Sequence, residues 1–193
     1  MKILSMCDLK RNKCGQVFTW DLAISISIFL IVLAMLFYMW DSTISKVTAT
    51  KEIYEAERIS MDVTEQLIRT PGVPHDWENQ NISNLSVFGL ANVEPRILNK
   101  NKILKFVNYT NPGHPNYSYA RPLIGTNWYE FYFNMTYLNG SQLILNNTVI
   151  ASGIIPVNSA FELTARRTAV LDDEIVRVYF TVWTNRSYAP VIH

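Results

Sequence analysis

The chain has 193 residues, of which 49% are hydrophobic and 17% charged, and its formal net charge is +1. A length of this order accommodates one domain with at most an appendage. The near-neutral balance provides no overall basic field, so nucleic acid is excluded as an expected partner. An aromatic content of 12% argues against a disordered chain, and two cysteines are too few for a disulfide-rich scaffold.

The first long element is an uncharged apolar stretch at residues 22–40. As a helix it would be about 28 Å long, close to the roughly 30 Å hydrocarbon core of a bilayer. Four basic residues precede it against one acid, Asp8: they are Lys2, Lys10, Arg11 and Lys13. Because positive flanks stay on the cytoplasmic side, the sequence predicts a single-pass membrane protein with residues 41–193 outside the cell.

The apolar stretch differs from the core of an ordinary secretory signal. It is long, and it ends in Phe-Tyr-Met-Trp-Asp-Ser, where the small residues of a signal-peptidase site are missing. Two alternatives remain. The stretch is an uncleaved signal anchor, or the chain is cut before the stretch and keeps it.

The junction Lys13-Cys14-Gly15-Gln16, followed by Asp21, resembles the class III signal of archaeal type IV pilin-like proteins. In that family a short basic leader ends in glycine, a glutamine follows, and an acidic residue lies a few places into an apolar helix. The family usually has Lys or Arg where this chain has Cys14. The resemblance covers roughly residues 10–40.

This resemblance implies cleavage between Gly15 and Gln16 and polymerisation through the apolar helix. The implied partners are a prepilin peptidase, other pilin subunits, a membrane assembly platform and, before assembly, membrane lipid. Cleavage would remove both Cys7 and Cys14 and a leader of four bases and one acid. The mature chain would then be cysteine-free, without structural disulfides or thiol catalysis.

Asp21 has two interpretations, because a carboxylate at the edge of an apolar helix needs a partner. The resemblance implies an assembly role, in which the carboxylate faces the α-amino group of a neighbouring subunit. Alternatively, Thr19 caps the helix and Asp21 lies in its first turn, where the helix dipole contributes about 0.3–1 kcal/mol.

The pattern of residues 41–69 predicts an amphipathic stalk helix, which ends at Thr70-Pro71-Gly72. Its apolar positions recur mostly three or four apart: Ile44, Val47, Tyr54, Ile59, Val63 and Leu67. This stripe can pack on the protein's own head, above all in its second half, or against other subunits in its first half.

Residues 71–193 read as a β-rich extracellular head. Strands are expected at residues 102–107 and, more weakly, at 85–91. Residues 128–138 and 142–151 form a predicted hairpin around Asn139-Gly140, and residues 165–171 and 174–184 form another around Asp172-Asp173. Alternation gives the last strand one buried face, made of Val176, Val178, Phe180 and Val182.

The expected fold class is therefore α+β: a long N-terminal helix, transmembrane and then amphipathic, packed against a C-terminal antiparallel sheet, as in type IV pilins. The expected organisation is a cleaved leader (1–15), a transmembrane and polymerisation helix (16–40), the stalk helix (41–70) and the head (71–193).

The head is also rich in Asn-x-Ser/Thr sequons, which predict surface exposure and N-glycosylation. The sequon asparagines are Asn81, Asn84, Asn108, Asn116, Asn134, Asn139, Asn146 and Asn185. Asn134 and Asn139 lie in or beside a predicted strand.

Motifs of catalysis are absent from the sequence. It has no glycine-rich phosphate loop, nucleophile elbow or zinc-protease motif, and His75, His114 and His193 match no metal template. We therefore expect no catalytic residues, no metal, no cofactor and no enzyme. Aromatic residues between 109 and 132 favour core packing over stacking on a glycan.

These observations predict a minor pilin or pseudopilin of a type IV pilus-like surface filament. It would wait in the cell membrane, be processed after Gly15 and assemble, with its head serving surface contact or adhesion, glycans being one possible ligand. The alternative is a signal-anchored extracellular binding module that is neither cleaved nor polymerised. An anchored enzyme is the third class.

Overall fold

The computed structural model describes the backbone of residues 14–185 and the side chains of residues 20–47 and 50–185. The chain divides into two compact units, Met1–Thr48 and Ala49–His193. The helices are α1 (Cys14–Arg69), α2 (Lys100–Tyr109) and α3 (Tyr117–Ile124), with short 3₁₀ helices at Trp77–Asn79 and Ile82–Asn84. The strands are β1 (Glu130–Tyr137), β2 (Ile144–Leu145), β3 (Thr148–Val149), β4 (Ala151–Gly153), β5 (Phe161–Leu171) and β6 (Glu174–Thr184).

The second unit is an α+β domain built on an antiparallel sheet in the order β4-β1-β6-β5. β6 lies in the middle and pairs with β1 on one side and with β5 on the other. Its four predicted inward residues, Val176, Val178, Phe180 and Val182, are all fully buried. The predicted alternation of β6 is therefore confirmed, and the face that carries these residues is called the inner face below.

The β5–β6 hairpin is confirmed together with its turn. Asp172 and Asp173 both have positive φ, 50° and 65°, and this pair of left-handed residues is typical of a two-residue hairpin turn. β5 is longer than predicted, because pairing with β6 extends back to Phe161 opposite Thr184.

The C-terminal part of α1 packs on the inner face and ends at Arg69, directly before the predicted stop. Val63 and Leu67 of the predicted stripe are buried, whereas Tyr54 is 66% exposed. Smaller residues complete the buried face: Ala56, Ser60 and Thr64, with Ile68. Apolar spacing thus predicted the direction of packing, but three of the six buried residues, Ala56, Ser60 and Thr64, are small or polar.

The prediction of a strand over residues 102–107 is wrong, because these residues lie in α2. Ile103, Phe106 and Val107 are spaced three and four apart, so a helix buries all of them on one face. The side chain of Asn99 caps this helix by accepting hydrogen bonds from the backbone N–H groups of Asn101 (2.9 Å) and Lys102 (3.4 Å).

The weaker strand at residues 85–91 is also wrong. This segment contributes only isolated bridges, Val73 with Val87 and Ala91 with Leu98. Its N–H groups serve the end of α1 instead: Leu90 donates to the carbonyl of Leu67 (2.7 Å). A helix leaves its last carbonyls without internal partners, and here the loop satisfies them.

The hairpin predicted at residues 128–151 is present in part. Gly140 closes its turn by donating to the carbonyl of Tyr137 (3.0 Å), and β4 pairs with β1. The returning segment is broken, however, by a turn at Asn146 and Asn147, whose φ values are 49° and 60°. β2 and β3 flank this turn as a small separate sheet.

Candidate functional site

The most extended unusual surface is the apolar part of α1 between Trp20 and Trp40. Its large side chains are exposed, except for Leu33, which is half-buried. The tryptophans at the two ends, Trp20 and Trp40, are 72% and 71% exposed. α1 is long and apolar enough to cross a membrane, and tryptophans at both ends match the interfacial preference of that side chain. One polar group inside the stretch is satisfied locally, since the Ser27 hydroxyl donates to the carbonyl of Ala23 (2.8 Å). The segment is compatible with membrane anchoring.

The junction residues Gly15 and Gln16 lie in the first turns of α1, and their side chains fall outside the described ones. Because α1 begins at Cys14, Thr19 lies inside the helix and Asp21 lies beyond its first turn. The capping interpretation of Thr19 and Asp21 is therefore wrong for this helix. Asp21 is exposed, which leaves its carboxylate accessible to a partner.

The sequon asparagines lie on the surface of the second unit. Six are exposed: Asn81, Asn84, Asn108, Asn139, Asn146 and Asn185. Asn116 and Asn134 are half-buried. Asn139 lies in the turn after β1, where its side chain accepts hydrogen bonds from the backbone N–H (2.9 Å) and the hydroxyl (2.7 Å) of Ser141. Every predicted position is thus at least partly accessible.

The aromatic residues between 109 and 132 divide between core and surface. Tyr109 and Tyr129 are buried, and Tyr117 stacks on Phe131 with ring centroids 6.0 Å apart. Tyr119 and Trp128 are instead 68% and 76% exposed. Core packing therefore explains only part of the aromatic content.

A network of charges joins three elements of the second unit. The Glu65 carboxylate of α1 contacts Arg69 (2.6 Å), Arg167 of β5 (3.0 Å) and Arg96 of the intervening loop (3.8 Å). Arg167 lies opposite Val178 on the inner face, where it pairs with the helix. The network fixes α1 to the sheet rather than marking a catalytic cluster.

Lys102, in the first turn of α2, is a buried ammonium that is 1% exposed. Its Nζ donates to the carbonyl oxygens of Pro71 (2.7 Å) and Ala91 (3.2 Å). Burial lowers the pKa of Lys102, against the opposing effect of the Glu78 and Asp76 carboxylates. Because both of its hydrogen-bond partners are backbone carbonyls, we assign Lys102 a structural role.

A polar groove of about 550 Å³ lies between α2, the first 3₁₀ helix and the β2–β3 turn. Sequon asparagines Asn108 and Asn146 line it from opposite elements, with Lys105 on the α2 side. The fold thus brings together two glycosylation candidates that are 38 positions apart in the chain. Sequence reasoning missed this proximity because it depends on residues 102–107 being helical.

The face of the sheet opposite the inner one, called the outer face below, carries a second set of polar and aromatic side chains. One cross-strand row is Asn134, Tyr179 and Arg166, and the adjacent row is Thr136, Arg177 and Thr168. The alternating sequence pattern of β5 and β6 predicts that their residues in these rows face away from the core. Their neighbours on β1 follow only from the register between strands that are far apart in sequence.

Within the described residues, no group of three His, Cys, Asp or Glu side chains forms a metal site. Comparison of the chain with protein-family models, with curated proteins and with solved structures found no match.

Proposed function

We propose that the chain is a membrane-anchored, type IV pilin-like subunit, a minor pilin or pseudopilin, processed between Gly15 and Gln16. The observation that carries this proposal is the uncovered apolar stretch of α1, which starts only a few residues after the Gly15-Gln16 junction. A helix that is apolar all round needs lipid or other apolar helices around it. Cleavage before such a helix would leave it on the mature protein, where it can lie in lipid before assembly and pack against the helices of other subunits afterwards.

In this proposal the basic leader keeps the N-terminus in the cytoplasm and the second unit lies outside the cell. The exposed Asp21 would then serve docking between subunits, since a carboxylate entering an apolar environment is stabilised by a cationic partner. The exposed sequons support an extracellular, glycosylated head.

Processing is tested by co-expressing the full chain with an archaeal prepilin peptidase and sequencing its N-terminus. We expect wild type to begin at Gln16 and the Gly15→Val variant to keep Met1, because a branched side chain replaces the glycine at the cleaved bond. Cys14→Lys is the matched control, since it changes the adjacent residue toward the usual family pattern and should still be cut. Wild type that keeps Met1 with an active peptidase would contradict the proposal and favour the uncleaved signal-anchored module.

A further inference from the structure

The outer face forms a continuous platform across three strands. Tyr179 of β6 lies directly between Asn134 of β1 and Arg166 of β5, and Arg177 lies two residues along β6 in the neighbouring row. Side chains two residues apart on a strand share a face, and diagonal cross-strand neighbours are about 7–8 Å apart. Arg166 and Arg177 are therefore close enough to contact one extended ligand together.

The charged side chains at the centre of this platform, Arg166 and Arg177, are both positive, and the acidic strand residues of this face lie two rows away, at Glu130 and Glu162 on either side of Trp183. Neither Arg166 nor Arg177 has an ion pair among the described residues, and Arg166 is exposed. The acidic side chains of β5 and its turn lie toward the ends of the face, at Glu162 and at Asp172-Asp173. The second unit as a whole, residues 49–193, contains 12 Lys and Arg and 13 Asp and Glu. The positive charge at the centre of the platform therefore differs from the slightly negative net charge of the unit.

Tyr179 reflects the same electropositive environment. Burial opposes ionisation, but the neighbouring guanidinium groups of Arg177 and Arg166 lower the pKa of the Tyr179 hydroxyl. A group whose ionised form is favoured indicates a field that also favours bound anions.

The remaining side chains of the platform suit a polyhydroxylated ligand. Tyr132 lies two residues before Asn134 on β1, so both tyrosines and the Asn134 amide share the face. The row beside Tyr132 continues with the exposed Thr164, whose Oγ1 lies 2.8 Å from Oγ1 of the buried Thr181. Aromatic rings stack on the apolar faces of sugar rings, and amides and hydroxyls hydrogen-bond their hydroxyl groups.

We propose that the outer face binds an acidic polysaccharide, with Arg166 and Arg177 contacting its carboxylate or sulfate groups and Tyr132 and Tyr179 stacking on its sugar rings. Guanidinium groups bind such planar or branched anions through paired N–H donors. Two arginines on a unit of net negative charge are too few for tight binding to nucleic acid, which depends on many phosphate contacts. The proposal rests on the proposed function only for the outward position of this unit.

The test uses the purified full chain in a neutral detergent, made in a host without N-glycosylation so that Asn134 carries a free amide. Binding is measured to alginate, a polymer of uronic acids, with neutral dextran and double-stranded DNA as comparison ligands. We expect binding to alginate that weakens with added salt, and at least about tenfold weaker binding to dextran and DNA.

The double variant Arg166→Gln, Arg177→Gln should bind alginate at least about tenfold more weakly than wild type. The matched control is Lys51→Gln, Arg58→Gln, which removes the same charge from α1 and should stay within about twofold. Tyr179→Ala should lose affinity while Tyr179→Phe keeps most of it, because the phenyl ring still stacks. Near-UV circular dichroism checks that each variant is folded.

Three outcomes would overturn the inference: no binding of alginate by wild type, equal loss of affinity in the two double variants, or equal binding of DNA. The last result would assign the face to polyanions in general. None of these measurements depends on cleavage at Gly15 or on assembly, so failure of the ligand proposal and failure of the proposed function are separate results.

Discussion

Tyr117 shows how one side chain links a helix to the sheet. Its hydroxyl donates to Glu130 Oε2 at 3.3 Å, and the other oxygen of that carboxylate pairs with Arg121 at 3.2 Å. Arg121 in turn donates to the backbone carbonyl of Tyr129 at 2.8 Å. Burial, followed by the Glu130 charge, raises the pKa of Tyr117 from its ordinary value of 10.0 to about 12. The neutral hydroxyl is therefore the form that the folded state stabilises.

A pH dependence follows from this shift. In the unfolded chain Tyr117 ionises near its ordinary value, so above that pH the unfolded state binds fewer protons and the folded state loses stability. We expect the contribution of Tyr117 to be complete below pH 10.0 and to be lost progressively toward pH 12. Urea unfolding midpoints measured from pH 9 to 11 should therefore fall less steeply in Tyr117→Phe than in wild type.

The matched control for this prediction is Tyr119→Phe, on the same helix but 68% exposed. Its midpoints should follow the wild-type slope. Lys102 is present in all three proteins, so its own titration cancels in the comparison. Identical slopes for wild type and Tyr117→Phe would contradict the raised pKa.

Helix α2 shows what a cap contributes at the level of an element. Asn99 has extended backbone, and its side chain accepts from two N–H groups of the first turn. We expect Asn99→Ala to destabilise the protein by about 1 kcal/mol, because those donors lose their partner. Chemical denaturation in detergent should show a lower midpoint with an unchanged slope. Asn101→Ala, at an exposed position inside the helix, should have no comparable effect, and equal losses in both variants would contradict the role of the cap.

The elements that the sequence predicted well are those set by local patterns. The β5–β6 hairpin follows from strict alternation around two adjacent aspartates, and the end of α1 follows from Thr70-Pro71-Gly72. α2 was mistaken for a strand because its sequence contains two conflicting signals. Its few apolar residues have helical spacing, but several of them are branched or aromatic, which favours a strand. The decisive signal, the Asn99 cap, precedes that run and can be read from the sequence only once a helix is considered.

The surfaces were less predictable than the elements. Gly15, Gln16 and the apolar stretch form one short segment, so a local motif was enough to select them. The polar groove and the outer face join residues from strands and helices that are far apart in the chain. Their composition depends on the register of β1 against β6, where Asn134 lies opposite Tyr179, and no local pattern sets that register.

At the scale of the whole molecule, all the buried core residues among those that the structure describes belong to the second unit. The earliest buried apolar residue among those described is Ala56, and the core continues through Trp183. We therefore expect a chain that begins at Ala49 to fold without detergent. Its near-UV circular dichroism should match that of the full chain, with one cooperative thermal transition.

A chain that begins at residue 71 provides the contrast. It lacks the α1 face, including Val63, Leu67 and Ile68, that covers the inner side of the sheet. We expect this shorter chain to lose its near-UV signal or to aggregate. Failure of the longer chain, from Ala49, to fold would show that the core requires residues 14–48.

The central place of β6 has a consequence for biosynthesis. β6, residues 174–184, is the last strand to be synthesised. It lies between β1 and β5 and pairs with both, so these two strands belong to one sheet only when β6 is in place. Until β6 emerges, the sheet has a gap at its centre, and α1 has no completed surface to pack on. If the second unit crosses the membrane during synthesis, as the proposed topology requires, it does so before its sheet is complete. Asn134, which is half-buried opposite Tyr179 in the complete sheet, would be more accessible to a modifying enzyme until this late strand pairs with β1.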